Sequence, residues 1–169
     1  IKQSGSTLTI GQDGDTVSGP FTNTPAFEVY QTSAQTPADN TWTKLTFTGE
    51  SFDTDNVWSD SKFTVPSGKA GKYVFLLDAG GFDDNTGLDI FRTAIYKNGS
   101  SAKINTALDT NGSSLQTAMT CISAVLDLAV GDYVEAYINA NIDSGTFETL
   151  DDADGKQTRF IVKEPDPSE

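Results

Sequence analysis

Carboxylates crowded into short loops, and two tryptophans beside polar segments, are the side chains here whose types and spacing could do chemistry. Asp151-Asp152-Ala153-Asp154-Gly155 has the oxygen-rich spacing of part of a calcium-binding loop. The full pattern fails, because Leu150 stands at the first ligand position and the closing bidentate glutamate is missing. Phe82-Asp83-Asp84-Asn85-Thr86-Gly87 and Asp53-Thr54-Asp55-Asn56 are similarly rich in oxygen ligands. Asp83, Asp84, Asp151, Asp152 and Asp154 are thus the candidate cation ligands, with solvated loop tips as the plainer reading. Paired carboxylates also drive glycoside hydrolysis, which needs them about 5 to 9 Å apart across a cleft. These acids lack the surrounding apolar runs that would build a cleft, so a hydrolase is not expected. Trp42 and Trp58 are the candidate binding residues, since an indole stacks well on the face of a sugar. The alternative for both is to fill a core or inter-subunit gap.

The chain has no histidine, which removes Ser–His–Asp and Cys–His nucleophile systems, imidazole bases and most zinc sites. A net charge of −13 repels nucleic acid and anionic membrane surfaces, so neither is an expected partner. No apolar run approaches the roughly 20 residues that a membrane-spanning helix needs. Cys121 is the single cysteine, so no internal disulfide can form. Within Ala118-Met119-Thr120-Cys121-Ile122 it is expected to be a small buried hydrophobe.

These groups must be positioned by strands. Ala26-Phe27-Glu28-Val29-Tyr30 and Trp42-Thr43-Lys44-Leu45-Thr46-Phe47 alternate apolar and polar residues. Residues 71–79 are nearly all apolar from Tyr73 to Leu77, as in a strand covered on both faces. Further strands are predicted at 90–96, 115–128, 133–140 and 159–163. The stretch 115–128 is long enough for a helix, but its Thr, Ile and Val content favours a strand. Asn98-Gly99 is a strong hairpin signal, Asn111-Gly112 a looser one, and Gly131-Asp132 a tight turn. Short strands with such turns predict one antiparallel all-β domain, a β-sandwich or jelly roll.

Residues 1–24 read differently. Thr7-Leu8-Thr9-Ile10-Gly11 and Gly14-Asp15-Thr16-Val17-Ser18-Gly19-Pro20 are short strands around a turn, with too little apolar area to fold alone. The expected organisation is a shaft-like leader at 1–24, a globular domain at 25–163 and a polar tail at 164–169. Ile1 in place of an initiator methionine reads as a fragment or processed product.

Six signals stand in a fixed order. Pro25-Ala26-Phe27 and Phe52-Asp53 precede Phe63-Thr64-Val65-Pro66, which runs into Gly71-Lys72-Tyr73-Val74-Phe75. Asn98-Gly99 follows, then Leu126-Asp127-Leu128-Ala129-Val130-Gly131-Asp132-Tyr133-Val134. As an ordered set they resemble the complement 1q globular head, which shares the tumour-necrosis-factor-like jelly roll. The resemblance covers about 25–163 and departs at the last strand, where Thr158-Arg159-Phe160-Ile161-Val162 replaces the family's usual ending. The Thr-Trp-Thr-Lys-Leu-Thr wording and the leader are more similar to domains of bacteriophage fibre and capsid-surface proteins.

The resemblance implies a non-enzymatic homotrimer. Its inner sheet would use the strands at 27–30, 73–77, 117–126 and 160–162, with Phe27, Val29, Tyr73, Phe75, Leu126 and Phe160 at the trimer interface. It also allows a shared calcium at the trimer top; otherwise no cofactor is expected. The implied role is a virion structural and recognition domain, a fibre knob or capsid-surface protein. Its partners would be other virion proteins and a host-surface glycan or receptor. The alternative is a secreted, extracellular trimeric module, lectin- or cytokine-like.

Overall fold

Alternation along the chain becomes alternation of burial. In the computed structural model, which describes residues 2–4, 7–9, 25–109, 115–151 and 158–163, the described elements are all β-strands. Strands β1 (Lys2–Ser4) and β2 (Thr7–Thr9) form a small antiparallel hairpin. The second leader strand expected at 14–19 lies outside the described residues. The rest builds two antiparallel sheets.

One sheet runs β11 (Thr117–Leu128), β8 (Gly71–Asp83), β14 (Arg159–Lys163), β3 (Phe27–Tyr30), β5 (Gly49–Asp53), with β13 (Phe147–Thr149) also on β8. The other runs β10 (Ser100–Asp109), β9 (Leu88–Lys97), β12 (Tyr133–Ile142), β7 (Lys62–Thr64), β6 (Trp58–Ser59), with β4 (Thr43–Lys44) also on β12. This is the antiparallel β-sandwich of a jelly roll, and 117–128 is a strand throughout. The four strands expected in one inner sheet do share a sheet, the first. Three details differ. Strand β10 and the short β5 and β13 have weak apolar alternation and are not legible as strands in the sequence. Strand β7 is flanked on both sides, by β6 and β12, and is not an edge. At 42–47 only Thr43–Lys44 pairs.

The core lies between the sheets and is aromatic. Phe160 stacks on Phe75 at 5.6 Å and 20°, meets Phe27 at 5.7 Å, and lies near Phe47 and Trp58. Phe63 joins Phe75 to Tyr73 across the gap at 5.6 and 5.2 Å. Tilted and offset ring contacts add to the burial of apolar area itself. Close approach is needed at Gly81, where a Cβ would sit 1.8 Å from the Phe147 ring.

All six residues expected at a trimer interface belong to this interior. Phe27, Val29, Tyr73, Phe75 and Phe160 are 0% exposed within the single chain, and Leu126 is half-buried against the same core. Covered by their own chain, the first five have no surface left for another copy, while Leu126 keeps part of its own. The physical reason is strand parity. Leu126 is paired with Tyr73, and paired residues share a face, so their neighbours Val125 and Val74 point outward. Cys121 is likewise a correction: it lies on the outward parity of β11 and is exposed.

Two turns lock one another at one end. Asn98 and Gly99 both take positive φ, 52° and 76°, as the tight hairpin requires. Asn98 Nδ2 donates to Asp132 Oδ1 at 2.8 Å, while its Oδ1 accepts from the Tyr133 amide at 2.9 Å. Asp132 Oδ2 accepts from the Ala129 amide and pairs with Lys97 at 2.9 Å. The Asn98 bond, then Lys97 and the Ala129 amide, hold the Asp132 carboxyl down at about 2.

Two outcomes follow from this packing. Phe160→Ala should cost about 3–5 kcal/mol in urea or guanidinium unfolding, because it opens a cavity between four rings. Asp132 has a depressed pKa when folded, so its contribution is present above the ordinary carboxyl value and is lost as pH falls through about 2. Thermal melts should therefore show wild type above Asp132→Asn by a constant margin at neutral pH. That margin should shrink as pH falls from about 4 toward 2; a margin independent of pH would refute the role.

Candidate functional site

Three surfaces bring chemistry-bearing side chains together. The first is the outward face of the β11–β8–β14–β3 sheet. Pairing sets Cys121 opposite Asp78, Asp78 opposite Arg159, and Arg159 opposite Tyr30, making one row across four strands. The next row carries Ser123, Leu76, Ile161 and Glu28, and beyond it Val125 faces Val74. Val125 is 66% exposed and Met119 53%, while Val74, Leu76 and Ile161 are half-buried. In this apolar field Arg159 donates from Nε to Asp78 Oδ2 at 2.7 Å. Cys121 beside them is raised above the ordinary thiol range, first by its hydrogen bond to Asp78 and then by burial. A thiol pushed upward in this way is less readily ionised and so a weaker nucleophile.

The second surface is the outward face of the other sheet. Tyr96 lies opposite Glu135 and Tyr137 opposite Ala94, and Lys44 on β4 lies opposite Tyr137. Tyr96 and Tyr137 stack at 4.1 Å and 25°, and Trp42 tilts against Tyr96 at 6.3 Å. All three rings are half-buried. Beneath them Glu135 is 8% exposed and accepts from Lys44 Nζ at 2.8 Å, while the same ammonium donates to the Asp60 carbonyl. Asn139, 2% exposed, accepts from Arg92 at 3.2 Å. Burial, then the charge of Glu135, pushes the Tyr137 phenol up, so it is neutral and able to donate.

The two tryptophans part company here. Trp42 joins the surface aromatics. Trp58 packs on Phe27 at 4.8 Å and near Phe47 and Phe160, half-buried against the core. Sequence reasoning missed Tyr96 and Tyr137, whose alternation on β9 and β12 marks a sheet face without saying which rings converge.

The third surface is the acidic loop end. Asp83 is fully buried, and its Oδ1 accepts from the amides of Asn85 and Gly87 at 2.8 and 2.9 Å. Its Oδ2 has no hydrogen-bond partner among the described residues. Asp84 accepts from the Thr146 amide at 2.7 Å, joining the 83–87 turn to the 143–146 loop. Asp53 does the same work for Val57 and Trp58, accepting from both amides. Asp143 is raised above the usual carboxyl range, chiefly by the neighbouring Asp89 charge. These carboxylates serve as turn caps. No group of three acidic, histidine or cysteine side chains is placed to hold a metal ion among the described residues. Asp151 borders a shallow depression of about 300 Å³ with Phe82, Glu148 and Leu150. Asp152 and Asp154 lie outside the described residues.

No known family's profile matches the sequence, and no curated protein matches it. Among solved structures the chain is similar to the globular domain of a zebrafish complement 1qA protein, with a TM-score of 0.53 and 18% identity. The match covers 82% of this chain and 94% of that one. At this identity the likeness establishes the fold: a complement 1q-like jelly roll.

Proposed function

We propose that this chain is a non-catalytic recognition domain that works as a homotrimer, its place being a virion fibre knob or capsid-surface protein. The observation that carries the trimer is the outward face of the β11–β8–β14 sheet, where Val125, Met119, Val74, Leu76 and Ile161 form an apolar field around the Asp78–Arg159 pair. Exposed apolar faces of this kind mark interaction sites, and each Å² covered contributes roughly 25 cal/mol. No helix is described in the chain that could cover it, and the repeated face of a second and third copy supplies matching apolar area without new sequence. Burying the Asp78–Arg159 pair in such an interface costs desolvation, which its 2.7 Å hydrogen bond offsets in part.

The non-catalytic half rests on the absence of histidine, the raised pKa of the Cys121 thiol, and the use of the loop acids as backbone caps. The virion half rests on the leader's Thr/Ser and glycine pattern and on the bacteriophage-like wording of the motifs.

Light scattering at micromolar concentration tests the assembly. The expected particle has three times the 18.0 kDa mass of the chain. Val125→Asp should shift it to the single-chain mass with the circular dichroism spectrum unchanged, because that side chain touches no core residue. A monodisperse wild-type monomer would sink the trimer and the fibre-knob reading with it.

A further inference from the structure

We propose that the outward face of the β9–β12–β4 sheet binds a neutral glycan, whose sugar rings stack on Trp42, Tyr96 and Tyr137. The inference rests on the reading of the domain as a recognition module and names its ligand class.

Three observations converge. The first is the aromatic placement: a stacked tyrosine pair at 4.1 Å with an indole 6.3 Å from Tyr96, on a face the sandwich core does not use. A pyranose has an apolar C–H face of that size, and an electron-rich ring face is its ordinary partner. Rings kept half-exposed on an outer sheet face are costly in water unless something covers them.

The second is the polar floor. Glu135 and Asn139 are 8% and 2% exposed, and Lys44 and Arg92 hold them in place. The floor thus sets acceptors, Glu135 and Asn139, against donors, Lys44, Arg92 and the Tyr137 phenol bonded to Glu135. Hydroxyls both donate and accept, so they suit a floor where donors and acceptors alternate.

The third is charge. Lys44 is matched by Glu135 at 2.8 Å, and Arg92 is engaged by the Asn139 amide oxygen at 3.2 Å. The whole chain stands at −13, which repels sialylated or sulfated glycans. Neutral saccharides escape this repulsion. The face also lies on the opposite side of the sandwich from the apolar assembly face, so it stays open when copies associate.

Calorimetry of the wild-type protein with neutral tetrasaccharides of glucose, galactose, mannose and N-acetylglucosamine tests this, with sialyllactose and choline as the charged probes. At least one neutral tetrasaccharide should bind in the millimolar range or tighter. Trp42→Ala should abolish binding with circular dichroism unchanged; Tyr96→Ala should weaken it about tenfold. Trp42→Phe, which keeps a ring, should retain part of the affinity. No binding by any neutral tetrasaccharide, or binding that survives Trp42→Ala, overturns the proposal. Preference for sialyllactose or choline overturns the ligand class. Light scattering on the same samples separates the two readings: a trimer that binds no sugar defeats this inference alone, whereas a monomer defeats the assembly whatever it binds.

Discussion

Phe160 is the residue on which the sandwich closes. It sits in β14, the last strand, yet it stacks on Phe75 from the middle of the chain and touches Phe27 from the start of the domain. Strand β14 lies between β8 and β3, so without it the first sheet would fall into two unconnected parts, β11–β8–β13 and β3–β5. The contact spans most of the domain's sequence, and the entropy of closing so long a loop must be met before any of the aromatic packing repays it. The ring cluster from Tyr73 through Phe63 to Trp58 then ties the two sheets together.

Once that core is in place, every strand's other parity is committed to the outside, and the two sheets spend it differently. The first presents aliphatic side chains around one ion pair, a surface suited to burial against copies of itself. The second presents three aromatic rings above paired, nearly buried polar groups. One sequence rule, alternation, therefore yields an aliphatic face and an aromatic face on opposite sides of one fold. Exchanging the parity of either sheet would exchange core for surface, which is why the register is held so firmly at both ends.

The loops look chemical in the sequence and turn out mechanical. Asp53, Asp83, Asp84 and Asp132 each accept from one or more backbone amides, and several join loops distant in sequence. An acidic chain meets these needs with carboxylates because an ionised oxygen accepts more strongly than a neutral one. The negative charge of these four side chains thus serves turn construction.

The amino-acid sequence by itself determined the class of the fold, most strand positions and the Asn98-Gly99 and Gly131 turns. These are local features: alternation, β-branched content and positive-φ residues act over a few positions. It did not determine which parity of those strands faces inward. Tyr73 to Leu77 is apolar at every position, so its period of two has no visible phase; the core takes Tyr73, Phe75 and Leu77 and leaves Val74 and Leu76 outward. Only the tertiary structure decided that Val125 is outside while Leu126 is inside, that Trp58 is core and Trp42 surface, and that Tyr96 and Tyr137 meet. Those outcomes depend on partners supplied by other strands, and a single strand's sequence carries no record of what will pack against it.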